Sequence, residues 1–346
     1  QTATTQTLLK RFFNEAYGDR LPIQVLADEV GMGKTFVALA TAFSVLQSMQ
    51  AGAEDTDLQG CYPKVLIITP TNEALYTKWQ NETGEFVQRC VIRDQDDARR
   101  WFAPAAVRRI DELSAELRKP GTGPRVLVTT MGMFAGSKLK HYDLKRRFML
   151  GLLFRHWSNR FQYDLRHNLI KGAPEDWPRQ PDGLLDLDDW EREIIPFDAE
   201  EALSALSGLE RKARKDGDIP SVEALLGQCR EIAAPYQRDR KHLFVAVEQA
   251  LAELYKAISA DLILRAFPLI IVDEAHNWKN GPSTGSNGYW YFRQFIACRA
   301  RRALLLTATP FQLRPEELIE ILRVSDDLAP APTQAASQEV CERVQK

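Results

Sequence analysis

The chain has 346 residues, of which 45% are hydrophobic, and its formal net charge is −2. This length and composition allow a sizeable core in one large or two ordinary domains, and the near-neutral charge indicates no particular partner. The five cysteines are scattered without a Cys-x-x-Cys pair, which argues against a disulfide framework or a zinc site and favours the reducing cytoplasm. The sequence has no signal-peptide pattern and no run of 18 apolar residues, so we expect a soluble protein without a membrane partner.

The first predicted element is a helix over residues 6–17, whose apolar residues recur on one face and which Gly18 ends. Gln6 stands at its start. A glutamine amide can donate and accept hydrogen bonds at an adenine edge, although an ordinary exposed glutamine is the simpler interpretation from these residues alone.

The stretch LADEVGMGKT, residues 26–35, lies between a short apolar run and a helical pattern. A strand, a glycine-bearing turn and a helix are the context of a phosphate-binding loop. Gly31 and Gly33 let the backbone close so that N–H groups at the helix start can point at an anion. Lys34 would then reach the β and γ phosphates, and the Thr35 hydroxyl would bind magnesium. The full pattern fails at its first position, so a helix that starts with Gly-Lys-Thr by chance is the alternative.

Two further buried strands are predicted over residues 64–69 and 125–130, and each ends among threonines. Thr69 and Thr71 are candidates for hydrogen bonds to a nucleic-acid phosphate. Trp79, on the helix that follows the first of these strands, is interpreted as core packing.

Between residues 137 and 262 the alternation of strands and turns disappears, and apolar residues recur at helical spacing. We interpret this segment as a large all-α insertion in an α/β domain. The predicted organisation is therefore residues 1–136 and 263–325 for the α/β lobe, 137–262 for the insertion, and 326–346 for a linker or tail.

The apolar run over residues 267–272 is typical of a buried parallel strand, and it ends in Asp273-Glu274-Ala275-His276. Carboxylates at the C-terminal ends of buried strands are where α/β sheets place catalytic groups. Asp273 can hold magnesium through water while Glu274 polarises the attacking water. These four residues are weak evidence alone, but paired with Gly-Lys-Thr on a neighbouring strand they supply a clamp for Mg-ATP.

The last predicted strand, residues 303–306, leads into Thr307-Ala308-Thr309-Pro310 beside the strand that ends at Asp273. Hydroxyls on this turn can link the nucleotide state to a bound polynucleotide through hydrogen bonds. A final helix is predicted over about 315–323.

The ordered set LADEVGMGKT, TPTNEALYTKW, VLVTT, DEAHNWKN and LLLTATPFQL resembles the first RecA-like lobe of superfamily 2 helicases, and within them the Swi/Snf type. Asp28 stands where other P-loops carry glycine, as in the first motif of that type. Trp79 lies in a segment similar to its TPxxLxxxW helix, and Lys279-Asn280 match its extended second motif. The fold implied is a RecA-like P-loop lobe, with a parallel sheet flanked by helices, plus the all-α insertion.

The resemblance also implies roles for individual residues, with ATP and Mg²⁺ as cofactors. It implies adenine contact at Gln6, with the phosphates bound by Gly31, Met32, Gly33, Lys34 and Thr35. It implies Mg²⁺ at Thr35 and Asp273, catalysis by Lys34, Asp273 and Glu274, and coupling by His276, Thr307, Ala308 and Thr309.

The function implied is the N-terminal motor lobe of a Swi/Snf-type ATPase or translocase that acts on double-stranded DNA. Such enzymes need a second RecA-like lobe, whose arginines neutralise the transition state. Loss of one such arginine typically lowers the rate of hydrolysis by about 10³–10⁵-fold. Nothing in the tail resembles that lobe, so we expect this chain alone to bind ATP weakly and to hydrolyse it very poorly. The alternative is an ATP-dependent switch or assembly scaffold, in which the helical insertion contacts a partner protein or DNA.

Overall fold

A computed structural model describes the chain in ranges, and the statements below concern only these: 1–13, 21–27, 33–52, 58–119, 123–135, 139–157, 167, 169–171, 173–175, 177, 187–216, 222–233, 241–278, 291–308, 322 and 324–328. The chain divides into two compact units. The sheet unit comprises Gln1–Arg109, Lys119–Gly136 and Leu264–Lys346, and the helical unit comprises Ile110–Arg118 and Ser137–Ile263.

The α-helices in the described ranges are α1 (Thr2–Phe13), α2 (Lys34–Gln50), α3 (Glu73–Cys90), α4 (Gln95–Trp101), α5 (Ile110–Arg118), α6 (Gly132–Ala135), α7 (Tyr142–His156), α8 (Asp189–Arg192), α9 (Ala199–Asp216), α10 (Val222–Ala233), α11 (Lys241–Asp261) and α12 (Val324–Asp327). Two 3₁₀ helices cover Ala275–Trp278 and Ala297–Arg299, and a π-helix covers Phe292–Ile296. Apart from residue 322, the helix predicted over 315–323 lies outside the described residues, as does most of the predicted tail, 326–346.

The sheet unit is built on six strands, β1 (Ile23–Ala27), β2 (Val65–Thr69), β3 (Pro104–Ala106), β4 (Val126–Thr130), β5 (Ile270–Val272) and β6 (Ala303–Thr307). They form one sheet in the order β1-β6-β5-β2-β4-β3, and every pairing is parallel. The predicted α/β class with a parallel sheet is therefore confirmed. Because all strands run the same way, their C-terminal ends lie at one edge of the sheet.

The expected adjacency of the strands before Gly-Lys-Thr and before Asp273 is wrong. Strand β6 lies between β1 and β5, and it pairs with β1 from Ala303 to Thr307. All five residues of β6 are buried, as for a strand covered on both faces, whereas β1 at the end of the sheet carries the half-exposed Val25.

Helices cover the sheet because their apolar stripes need a partner. One core cluster joins residues of α1, α2 and α3 to β2, β4 and β6, and it includes Phe12, Leu39, Trp79, Ile67 and Leu304. Helix α3 begins after Asn72, whose Oδ1 accepts the N–H of Ala74 at 2.9 Å and so caps one of the free amides of the first turn.

The helical unit extends beyond the predicted insertion because α5 belongs to it. In sequence α5 lies between β3 and β4, yet within the helical unit it packs on α11. Its residue Asp111 forms an ion pair with Lys145 of α7, and both side chains are buried. A buried charge is tolerated when it is paired. The sequence pattern of α5 gives no sign of this position, because the partner of Asp111 lies 34 positions away in the chain.

Among the described residues, none of the helices is both long and apolar enough to cross a membrane.

The packing of α5 predicts how deletion of the helical unit will behave. Replacing Ser137–Ile263 with a short Gly/Ser linker removes Lys145 and α11, so the apolar face of α5 (Ile110, Leu113, Leu117) becomes exposed. We expect this protein to aggregate, although shortening the connection lowers the free energy of loop closure by about 0.6 kcal/mol for each halving of its length.

The matched protein carries the same deletion with Ile110→Gln, Leu113→Gln and Leu117→Gln, which keep good helix formers on α5. We expect a larger soluble fraction after centrifugation and a sharper melting transition for this version. Equal solubility of the two shortened proteins would contradict the assignment of α5 to the helical unit.

Candidate functional site

The C-terminal ends of β1, β6 and β5 meet at one edge of the sheet. Ala27 pairs with Thr307, and Val272 pairs with Leu305, so the three strands end within two residues of one another. Asp273 and Glu274 follow β5, and Ala308 follows β6. This edge therefore collects the predicted carboxylates and two of the predicted coupling residues, Thr307 and Ala308.

The described end of the predicted phosphate loop is Gly33, which has φ +83° and precedes the first turn of α2. This left-handed conformation favours glycine. Glycine has no side chain to cap the helix, and the first turn of α2 contains no acidic residue. The N-terminus of a 17-residue helix is the positive end of the helix dipole and attracts an anion. Lys34 and Thr35 are half-buried in this turn.

Gly31 and Met32, together with Asp28 of the family motif, lie outside the described residues, as do Thr309 and Lys279-Asn280. Their predicted roles stay predictions.

Gln6 of α1 is the residue expected to contact adenine, and Gln1 lies just before the same helix. Gln6 is exposed on α1, and its contact with a nucleotide stays a prediction. Gln1 has its carboxamide against Gly33, where an added Cβ would collide with it. The sequence alone gives no sign of this contact, because nothing in the local pattern distinguishes Gln1 from any other polar residue.

Asp273 is held by hydrogen bonds to both of its carboxylate oxygens. The Trp79 indole N–H donates to Oδ2 at 2.7 Å, and the Glu274 backbone N–H donates to Oδ1 at 3.0 Å. The Asp273 backbone N–H donates to the Ile68 carbonyl at 2.8 Å, which continues the β5–β2 ladder. Burial raises the pKa of the Asp273 carboxyl, the Trp79 hydrogen bond opposes this, and the charge of Glu274 raises it further.

Trp79 itself is 1% exposed and belongs to the core cluster, as the packing interpretation predicts. That interpretation is incomplete, because the indole also reaches Asp273, which lies 194 positions away in the chain. The periodicity of apolar residues cannot reveal the direction in which the indole N–H points.

Glu274 has φ +48°, a left-handed conformation that costs a non-glycine residue about 1–2 kcal/mol. Its carbonyl accepts hydrogen bonds from the Asn277 backbone at 3.0 Å and side chain at 2.8 Å, which stabilise the turn. Its Oε2 lies 3.2 Å from His276 Nδ1 and accepts the Ala308 N–H at 3.4 Å. The Thr307 hydroxyl lies 3.4 Å from the same His276 nitrogen.

The structure thus brings together Asp273, Glu274, His276, Thr307 and Ala308. The two carboxylates occupy different environments: Asp273 faces neutral N–H donors, whereas Glu274 faces an imidazole and a backbone amide. Neighbouring carboxylates in unlike environments can take different chemical roles.

The residues present fit a hard divalent cation. Carboxylate and hydroxyl oxygens are ligands for Mg²⁺, which binds through one or two carboxylates and substrate phosphates. Each carboxylate oxygen has two lone pairs, so Asp273 keeps acceptor capacity after its two hydrogen bonds. A cation there would also offset the unfavourable burial of its charge.

One predicted nucleic-acid contact is wrong. Thr69 is fully buried, and its hydroxyl donates to the Thr129 carbonyl at 3.2 Å, so it does not face a ligand. Thr71 is exposed and lies beside Gly132, where an added Cβ would come within 3.2 Å of its hydroxyl and 3.5 Å of the Thr130 hydroxyl. The hydroxyls of Thr71 and Thr130 therefore both lie close to Gly132.

Comparison of the sequence with models of known protein families, and with curated proteins, finds no match. The functional interpretation therefore depends on the residues and on their geometry.

The backbone at the start of α2 gives a stability prediction. Gly33→Ala should destabilise the protein by about 1–2 kcal/mol, because φ is positive and the new Cβ meets Gln1. Gly84→Ala is the matched control, since Gly84 lies within α3 with open space around it, and this change should stabilise by about 0.5–1 kcal/mol.

Urea unfolding of both variants measures the difference. Similar free energies of unfolding for Gly33→Ala and the unchanged protein would mean that the left-handed turn before Lys34 is not required.

Proposed function

We propose that the sheet unit is a RecA-like, ATP-binding P-loop lobe of a Swi/Snf-type, DNA-dependent ATPase. The observation that carries the proposal is the convergence, at the common C-terminal edge of β1, β6 and β5, of paired carboxylates and the hydroxyl of Thr307. Helix α2, which follows β1 in the chain, begins with Lys34 and Thr35. Open α/β sheets bind ligands at the edge formed by the C-terminal ends of their strands.

In this proposal the triphosphate lies at the N-terminus of α2, with Lys34 as its main cationic partner. Thr35 and Asp273 hold Mg²⁺, which when bound neutralises negative charge on the phosphate oxygens. The loop residues Gly31 and Met32 complete the phosphate contacts, and Gln6 contacts the adenine.

Glu274 orients the attacking water in this proposal. Its Oε2 accepts the Ala308 N–H and lies near His276, which in turn lies near the Thr307 hydroxyl. A movement of the chain at the end of β6 therefore changes the surroundings of the Glu274 carboxylate. This contact supports a coupling role for His276, Thr307, Ala308 and Thr309.

Efficient hydrolysis requires the arginines of a second RecA-like lobe, in the same longer chain or in another subunit. Double-stranded DNA is the proposed polynucleotide, with Thr71 and Thr130 as candidate phosphate contacts. The helical unit is the proposed surface for a partner protein or for DNA.

An ATP-dependent switch or assembly scaffold is the second candidate. The observation that favours it is the separate core of the helical unit, which includes Phe148, Leu152, Leu209, Val247 and Leu251 and which nucleotide chemistry does not need. DNA-stimulated ATP turnover by the protein that carries both lobes would favour the motor, and ATP binding without stimulation would favour the switch.

Nucleotide binding tests the proposal directly. Lys34→Ala should remove measurable Mg-ATP binding in titration calorimetry, because it removes the main positive charge that faces the phosphates. The free energy of unfolding of the nucleotide-free protein, measured from its melting curve, should change by no more than about 0.5 kcal/mol.

The matched control is Lys140→Ala, which removes an exposed lysine of the helical unit and should leave ATP affinity unchanged. Unchanged affinity in Lys34→Ala would show that Gly-Lys-Thr is only a helix start.

Replacing each carboxylate by its amide distinguishes the proposed roles of Asp273 and Glu274. In the protein with both lobes, Glu274→Gln should bind ATP normally and lose turnover, because the water is no longer polarised. Asp273→Asn should weaken Mg²⁺-dependent ATP binding. An equal loss of binding in both variants would show that the two roles are assigned wrongly.

A further inference from the structure

The hydrogen bond from Trp79 to Asp273 links a core residue of α3 to the end of β5. It joins Nε1 and Oδ2 at 2.7 Å, which is short for a donor of this type and typical of a bond to a charged acceptor. The neighbouring Oδ1 is fixed by the Glu274 backbone N–H. The orientation of the whole carboxylate is therefore set from both sides.

We propose that Trp79 is a positioning residue, which fixes the Asp273 carboxylate in the orientation needed to hold Mg²⁺ with the nucleotide. This inference rests on the proposed ATP-binding function and adds a residue to its magnesium site.

The choice of donor supports this role. A lysine or arginine at hydrogen-bond distance would neutralise the carboxylate and compete with the metal for it. A neutral indole N–H orients the oxygen and leaves its negative charge for a cation. Lys78 of the same helix pairs with Glu82 at 3.6 Å and is 54% exposed, so although its charge lowers the pKa of Asp273 slightly, it forms its ion pair with another carboxylate.

The indole is held rigidly enough to position a partner. Trp79 is 1% exposed, and its carbonyl accepts the Thr83 hydroxyl at 2.7 Å. Close packing prevents the ring from turning its N–H elsewhere without opening the core. Groups that orient a metal ligand in this way typically change metal affinity about 10–100-fold when they are lost.

The simpler explanation is that Asp273 only satisfies a buried indole N–H. Both explanations predict some loss of stability when the N–H is removed. They differ in one measurement, because only a positioning role makes the loss of ATP affinity depend on Mg²⁺.

The experiment measures the dissociation constant of ATP with Mg²⁺ and again with EDTA, at temperatures well below melting. Replacing Trp79 by benzothienylalanine keeps the ring shape and removes the N–H, and Trp79→Phe is the genetically simpler version. We expect affinity to fall about 10-fold or more with Mg²⁺ and to stay unchanged in EDTA. Tyr76→Phe is the matched control, since it removes a polar group from a buried ring of the same helix and should change neither constant.

A double-mutant cycle provides the second test. In an Asp273→Asn background, removal of the indole N–H should cause no further loss of Mg²⁺-dependent affinity, since the two residues act together. An equal fall with and without Mg²⁺, or no fall in either condition, would overturn the positioning role. If the unchanged protein does not bind ATP, or if Lys34→Ala binds it equally well, the proposed function itself is overturned. This result is obtained before any Trp79 variant is made.

Discussion

Parallel pairing of β1, β6 and β5 is the constraint on which the candidate site depends. Parallel strands cannot be joined by tight hairpins, so each connection must cross back over the sheet, and all C-terminal ends meet at one edge. Thr307 and Asp273, which are 34 residues apart in sequence, are thereby brought to adjacent strand ends. A slip of β6 by one residue would exchange the faces of its side chains and separate Thr307 from His276.

The electrostatics of this edge follow from how each carboxylate is satisfied. Asp273 lies at the end of a fully buried strand, and its two hydrogen bonds come from neutral donors, so burial still raises its pKa. Glu274 turns into a left-handed conformation that directs its carboxylate toward His276 and Ala308. Two adjacent acidic residues thus reach different partners because the chain changes direction between them. The backbone strain at Glu274 is local to this turn and is offset by the Asn277 hydrogen bonds.

Much of the fold could be predicted because the information is local. Apolar runs such as FPLIIV identify buried strands, and their lack of alternation indicates a parallel sheet. The order of strands could not be predicted, since it depends on pairings between distant residues such as Ala27 and Thr307. The same holds for α5, whose position in the helical unit is shown by the buried pair of Asp111 and Lys145. The candidate residues near β5 and β6 could be predicted from their motifs, whereas the Trp79 bond depends on the direction of one side chain.

Helix α3 is the element that the proposed nucleotide and polynucleotide contacts share. It follows Thr71 at the end of β2, begins at the Asn72 cap, and holds Asp273 through Trp79 about two turns later. An α-helix with a buried face moves as a body, because its backbone hydrogen bonds and core packing resist local bending. If a phosphate binds at Thr71 and shifts α3, the Trp79 N–H must shift with it. In the proposed function, the orientation of Asp273 at the proposed magnesium site would then change, which would give a physical route from a bound polynucleotide to the nucleotide.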